Sequence, residues 1–306
     1  MGKAKPKSVR ILHTNHLRSG YGENDITQEL FTEAEVTYDD NGNILTERHF
    51  NSNGELESRV ANSYDDEGRP TESAQFDNFD ELCQKNVFYY GENGRLDRKG
   101  CFYGEGSPEY ATVYVYEDGR LVREDAYDEE EFVCTEKAYE YDGAGHVTKT
   151  TEYDEDGNVL YRTTDEYDEN GRLAKRLREE PQEHDSRTFV YAYDEQGNKT
   201  KELMYNFDGK LIAKAYYRYD EQGHNVEMEE ENLDIFRLTQ YTYDGDNCVK
   251  ITQFDKDRMA LSYSVYEYND NGDVVRIENH SRDEVDPTVL RTVSALEYQI
   301  EYQIEY

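Results

Sequence analysis

A Tyr-Asp-x-x-Gly turn, or a close variant, recurs about every 26 residues along this chain, and no other feature constrains the fold as much. Its leading tyrosines are Tyr38, Tyr64, Tyr90, Tyr116, Tyr141, Tyr167, Tyr193, Tyr219, Tyr243 and Tyr268. A weaker second turn lies between them, as at Phe50-Asn51-Ser52-Asn53-Gly54 and Tyr153-Asp154-Glu155-Asp156-Gly157. Between turns the chain alternates. Val159, Tyr161, Thr163, Asp165 and Tyr167 share one parity; Leu160, Arg162, Thr164 and Glu166 share the other. A period of two is that of a strand. Ten repeats of two strands each therefore predict an all-β chain of about twenty short strands. The expected fold is an elongated antiparallel β-meander repeat array, an open or spirally coiled sheet.

The turn chemistry supports this. Asp or Asn at the first position bonds the backbone two residues on, and Gly supplies a positive φ without steric cost. Pairs such as Tyr191 and Tyr193, or Tyr217 and Tyr219, put both rings on one face, so stacked repeats should form tyrosine ladders. The net charge of -35 and mean hydropathy of -1.07 would otherwise suggest disorder. The even period and the 29 tyrosines oppose that reading. Tyr buries a ring while keeping a polar tip, so a Tyr-rich sheet can order without a thick aliphatic core.

Three segments are expected. Residues 1–30 read as a basic tail and cap, since Glu23 is the first acid. Residues 31–280 carry the array. Residues 281–306 read as a C-terminal capping or edge strand, in which Tyr298, Ile300, Tyr302, Ile304 and Tyr306 alternate with Glu and Gln. These five residues are the candidate binding residues, because an unpaired edge is a template for pairing with another chain or another copy.

No residue pattern reads as a catalytic, cofactor or metal site, and the chain is read as non-enzymatic. Cys83, Cys101, Cys134 and Cys248 form no C-x-x-C pair, and His13 and His16 have no third ligand in sight. The Asp154-x-Asp156-Gly157 turn lacks the third ligand of a calcium loop. An acidic surface repels phosphate backbones, so nucleic acid is not an expected partner. No run reaches membrane-spanning length, and no apolar core follows Lys3, Lys5 and Lys7, so a cytoplasmic location is expected. The function read from these features is a scaffold that binds a protein partner, basic in one variant, through its sheet face or edges. The alternatives are a carbohydrate-binding module and an acidic neutraliser of a basic toxin or nuclease.

The Tyr-Asp-x-x-Gly-Arg-Leu pattern resembles the YD repeat of RHS-type proteins. It stands at Tyr167-Asp168-Glu169-Asn170-Gly171-Arg172-Leu173, with variants at Tyr116-Glu117-Asp118-Gly119-Arg120-Leu121 and Tyr90-Gly91-Glu92-Asn93-Gly94-Arg95-Leu96. The resemblance spans roughly residues 38–280. It implies long β-sheets that coil into shells or spirals, which in that family often enclose or present toxins or act at cell surfaces. This chain is far shorter than a shell-forming protein, and its period is longer.

Overall fold

The computed structural model describes residues 4–18, 25–104, 108–283, 286 and 288–303, and among these residues it is all β. The strands are β1 (Pro6–Arg18), β2 (Ile26–Tyr38), β3 (Ile44–Phe50), β4 (Leu56–Tyr64), β5 (Pro70–Phe76), β6 (Leu82–Tyr90), β7 (Leu96–Phe102) and β8 (Tyr110–Glu117). Then come β9 (Arg120–Tyr127), β10 (Val133–Tyr141), β11 (Val147–Asp154), β12 (Val159–Tyr167), β13 (Leu173–Glu180), β14 (Asp185–Tyr193) and β15 (Lys199–Tyr205). The rest are β16 (Leu211–Tyr219), β17 (Asn225–Asn232), β18 (Phe236–Asp244), β19 (Asn247–Phe254), β20 (Ala260–Tyr268), β21 (Val274–Arg282) and β22 (Leu290–Tyr302). The chain divides into two compact units, residues 1–86 with 238–306, and residues 87–237.

One pairing overturns the expected open or spiral array. β1 runs antiparallel to β2 on one side and to β22 on the other, with Val9 opposite both Val36 and Ile300. The 22 strands belong to one sheet, and this pairing closes it into an antiparallel barrel. A closed sheet has no terminal strand, which removes the edge that an open array would expose. The strands at the closure are the longest, at 13 residues each for β1, β2 and β22.

The expected basic N-terminal tail is thus β1. Its charge has a local reason: Lys7 meets Glu301 at 3.2 Å on β22, and Arg10 meets Glu35 at 2.8 Å on β2. A basic strand lies between two acidic ones. The N-terminal segment and the end of β22 also tie into the neighbouring turns. The Ala4 amide donates to Asn271 Oδ1, the Gln303 side chain donates to the Asp39 carbonyl at 2.7 Å, and Asn269 Nδ2 donates to the Tyr302 hydroxyl.

Most Tyr-Asp turns share one geometry; those after Tyr116 and Tyr243 are tighter, with Glu117 opposite Arg120 and Asp244 opposite Asn247. In each of Asp39, Asp65, Asp142, Asp168 and Asp220, one carboxylate oxygen accepts the amides two and four residues on, as in Asn170 N and Arg172 N to Asp168 Oδ1, both 2.9 Å. The fourth residue closes the bend with positive φ, 77° at Gly171.

The tyrosine ahead of each turn locks it to the previous repeat. Its hydroxyl donates to a carbonyl twenty residues earlier: Tyr141 to Leu121 at 2.6 Å, Tyr167 to Val147 at 2.7 Å, Tyr193 to Leu173 at 2.9 Å and Tyr219 to Lys199 at 2.9 Å. Tyr64, Tyr116 and Tyr268 do the same to Ile44, Leu96 and Cys248. In several repeats the Arg or His after the turn glycine packs on the next tyrosine ring. Arg172 lies over Tyr193 at 4.8 Å and His146 stacks on Tyr167 at 4.7 Å. A Cβ on Gly171 would meet His146 at 2.9 Å, and one on Gly119 would meet Arg95 at 3.0 Å. Gly suits the positive φ at both places, and its missing Cβ leaves room for the side chain of the repeat before.

There is little aliphatic core. The buried apolar residues among those described are Ala34, Val36, Ala74, Ala111, Leu203, Leu238 and Ala295, and four of these seven are alanine. Order rests instead on half-buried rings and on the ladder of hydroxyl–carbonyl bonds.

Two outcomes follow from the ladder. Tyr193→Phe should cost about 1 kcal/mol in chemical denaturation, the net worth of one hydrogen bond, and Tyr193→Ala clearly more. An unchanged midpoint for Tyr193→Ala would remove the ladder as the source of order. The second outcome concerns pH. The Arg172 amide holds the Asp168 carboxyl below its usual range, and the His146 ring holds Asp142 down to about 2. A depressed folded-state pKa gives stability that is present above the unfolded carboxylate pKa of about 3.9 and lost as pH falls through the folded value. Asp168→Asn keeps the Oδ1 acceptor, as Asn206 and Asn269 do naturally. It should therefore lose less stability than the parent between about pH 5 and pH 3, measured by urea midpoint.

Candidate functional site

In an antiparallel meander alternate turns emerge at the same end of the strands. Within each unit the Tyr-Asp turns therefore lie at one end and the intervening turns at the other. The two series differ in chemistry. The Tyr-Asp turns hold Asp, Asn, Gly, Arg, Glu, Gln, His and a single Ala, and none carries a large apolar side chain. The intervening turns expose them. In the unit of residues 87–237 these are Tyr103, Phe132 at 65%, Phe207 at 65%, Leu233 at 74% and Ile235. In the other unit they are Phe79, Met259 and Val289.

The local sequence explains why these side chains point outward. In Asp77-Asn78-Phe79-Asp80-Glu81, Asp77 Oδ1 takes the amides of Phe79 and Glu81, so Phe79 sits at the apex of the bend. Phe132 follows the same scheme one step later, its amide bonded to Asp128 Oδ1 at 2.9 Å. The backbone here is also less relaxed. Asp80, Glu131, His184 and Arg258, all in intervening turns, have φ between 54° and 63°, while among the described Tyr-Asp turns only Asp118, at 47°, is a non-Gly residue with positive φ. Such a φ costs an L-residue roughly 1–2 kcal/mol, and outliers of this kind concentrate at functional loops.

The sheet face between the two ends is paired within itself. In the unit of residues 87–237 the register sets Glu124, Lys137, Glu152 and Tyr161 in one row across β9 to β12. Lys137 meets Glu152 at 2.9 Å, and the Tyr139 hydroxyl donates to Glu124 at 2.6 Å. Arg176 grips the buried Asp165 with two bonds of 2.7 and 2.6 Å, and Arg178 lies over Tyr161. Burial pushes the Tyr139 hydroxyl up, with Glu124 adding to it. These groups satisfy one another, which is what a packing surface does. Among the described residues no group of three or more His, Cys, Asp or Glu is placed to hold a metal.

The residues singled out on the C-terminal strand divide. Tyr298, Ile300 and Tyr302 lie on one half-buried face of β22, and Glu297, Gln299 and Glu301 are exposed. Tyr298 stands opposite Ile11, and Ile300 opposite Val9. β22 is paired on both sides, to β21 and β1, so it is not an edge. Ile304 and Tyr306 lie outside the described residues. The exposed turn residues were legible at the sequence level as Phe or Leu inside Asx bends, a place that turn chemistry leaves to polar residues.

No family model matches this chain, and no curated protein matches it. Among solved structures it is similar to the TcdB2-TccC3-TEV complex at 15% identity and a TM-score of 0.37, covering 92% of this chain and 18% of that one. The Photorhabdus luminescens Tc holotoxin pore is similar at 15% identity and 0.37, over 90% and 18%. A porin-like protein from Bacteroides uniformis is similar at 11% identity and 0.33, over 97% and 96%. The chain spans less than a fifth of the toxin-complex chains it resembles. Likenesses this loose carry no argument about function.

Replacing Glu131 by Gly should raise stability by roughly 0.5–1 kcal/mol, since relief of the left-handed strain exceeds the added chain entropy. Thermal or urea unfolding checks this; a loss of stability would mean that the strain is not there.

Proposed function

We propose that this protein is a non-enzymatic β scaffold that binds a protein partner through its intervening turns. The observation that carries this reading is the segregation of exposed apolar side chains. Phe132, Phe207 and Leu233 are each at least 65% exposed, and all stand on the turn series opposite the Tyr-Asp turns. Exposed aromatic and aliphatic side chains gathered in one region mark interaction sites more often than chance exposure does. Acids without a cation in ion-pair contact among the described residues accompany them: Asp128, Glu129 and Glu130 precede Glu131 and Phe132. A partner with basic residues around an apolar centre fits this surface. The neutralising variant of the function survives as a statement about that partner's charge.

The other readings are less favoured. The regularly spaced tyrosines, which would give a repeated sugar-stacking surface, have their hydroxyls engaged in the ladder. Self-association through edges is less favoured because both chain-end strands are paired. No helix among the described residues is long and apolar enough to cross a membrane, which leaves strands to consider. On β13, Lys175 and Glu179 have one parity and Arg176, Arg178 and Glu180 the other, so charges stand on both faces. A lipid-facing strand would be apolar on one face, and a charge at the bilayer midplane costs roughly 2–4 kcal/mol. A water-bathed sheet suits this composition.

The test pairs two variants. A triple change of Phe132→Ser, Phe207→Ser and Leu233→Ser should keep the parent melting temperature and lose a salt-sensitive partner recovered from source cells. Glu169→Ser with Gln196→Ser on the Tyr-Asp turns should keep it. Equal recovery by both would refute the turn surface as the site.

A further inference from the structure

We infer that the hollow across β14 to β17 is an anchor pocket for one aromatic or large aliphatic side chain of a basic protein partner, an inference that rests on reading the intervening turns as a binding surface. The hollow arises from a break in the repeat. At six and four residues before the ladder tyrosine, β12 has Tyr161 and Thr163, and β14 has Arg187 and Phe189. β16 has Ala213 and Ala215 at those places. The register puts Ala213 between Met204 and Asn232, and Ala215 between Glu202 and Glu230. Two methyl groups thus form the floor where neighbouring strands raise long side chains.

Phe189, Tyr217 and Ile235 line the resulting cavity of about 270 Å³. Drug-sized ligands occupy pockets of roughly 300–1,000 Å³, so this one is of a size for a single side chain rather than a cofactor. Ile235 belongs to the turn that also carries Leu233, and the adjacent turn of the same series carries Phe207. An apolar rim beside a hollow with an apolar floor is the arrangement of an interface hot spot, in which a partner's anchor is enclosed and water is excluded.

Charge decides the kind of partner. Lys199 takes Glu202 at 2.7 Å, and Lys214 takes Glu231 at 2.7 Å. That leaves Glu230 on the wall, with Asp208 and Asp234 in the two turns, without a cation in ion-pair contact among the described residues. Arg237, also without an ion pair, lines the same cavity and suits a backbone carbonyl of the partner. Two copies of this chain would each bring a net charge of -35, so a second copy is repelled where a basic partner is drawn in.

The experiment uses the full chain with labelled alanine and methionine methyl groups, titrated with the capped peptide Lys-Lys-Phe-Lys-Lys. Expected are saturable shifts at Ala213, Ala215 and Met204. Affinity should fall about tenfold or more when the peptide Phe is replaced by Ala, when Ala215→Leu fills the floor, and when ionic strength is raised. Should Ala215→Leu lower the melting temperature, the Phe and Ala peptides on the unaltered protein decide the matter. Shifts at Ala126, beside the Phe132 turn, with none at Ala213 or Met204 overturn the anchor and leave the turn surface standing. No shift at either place at millimolar peptide overturns both. Broadening with protein concentration alone makes the occupant a second copy and overturns the basic partner.

Discussion

The bond from each ladder tyrosine to the carbonyl twenty residues earlier holds the rest of the structure. It joins one Tyr-Asp turn to the next, as Tyr167 to Val147 and Tyr193 to Leu173, and where Arg or His follows the glycine, as at Arg172 and His146, it completes the joint by stacking on the ring. The coupling is between nearest neighbours, so order propagates along the sheet without a central core. This explains how a chain of mean hydropathy -1.07 folds. A half-buried ring contributes apolar area while its hydroxyl replaces a water bond with a backbone bond, so little polar desolvation is left uncompensated. It also explains the residues of the Gly-Arg-Leu motif. Gly gives the φ and the room, Arg stacks, and the Leu carbonyl accepts.

Nearest-neighbour order leaves the first and last strands exposed unless they meet, and here they meet. The closing strands use different chemistry from the ladder. Val9 lies between Val36 and Ile300, and Ile11 between Ala34 and Tyr298, so the closure is more aliphatic than the array. Asp283, buried beyond the strand ends, is held by Arg18 from β1 and by Arg291 from β22. That cluster joins the two ends of the chain by charge rather than by the repeat. A buried carboxylate with two guanidinium partners is costly to break and thus fixes which strands meet.

The proposed binding surface falls where the repeat is loosest. The Tyr-Asp turns are constrained by the ladder, and their residues are spoken for. Among the described residues the intervening turns lack the tyrosine-to-carbonyl bond, so they can hold Phe79, Phe132, Phe207 or Leu233 without loss of the ladder. The alanine pair at Ala213 and Ala215 is the same kind of freedom on the sheet face. A regular scaffold with variable turns at one end separates stability from recognition.

The sequence by itself determined the strands and their turns. Alternation and Asx-Gly bends are local, and the ten tyrosines placed the strand ends within a few residues of where they lie. It also placed Tyr298, Ile300 and Tyr302 on one face, because parity within a strand is local too. Closure was decided only by the tertiary structure. Val9 and Ile300 are almost the whole chain apart, and nothing in the spacing of the turns says that the segment before the first repeat pairs with the segment after the last. The basic charges of that first segment read as a tail until Glu301 and Glu35 stood beside them. The candidate surface divides in the same way. Phe132 and Phe207 were visible as apolar residues in turns, but their sharing an end of the strands, and the hollow floored by Ala213 and Ala215, depend on the register between strands, which no single strand encodes.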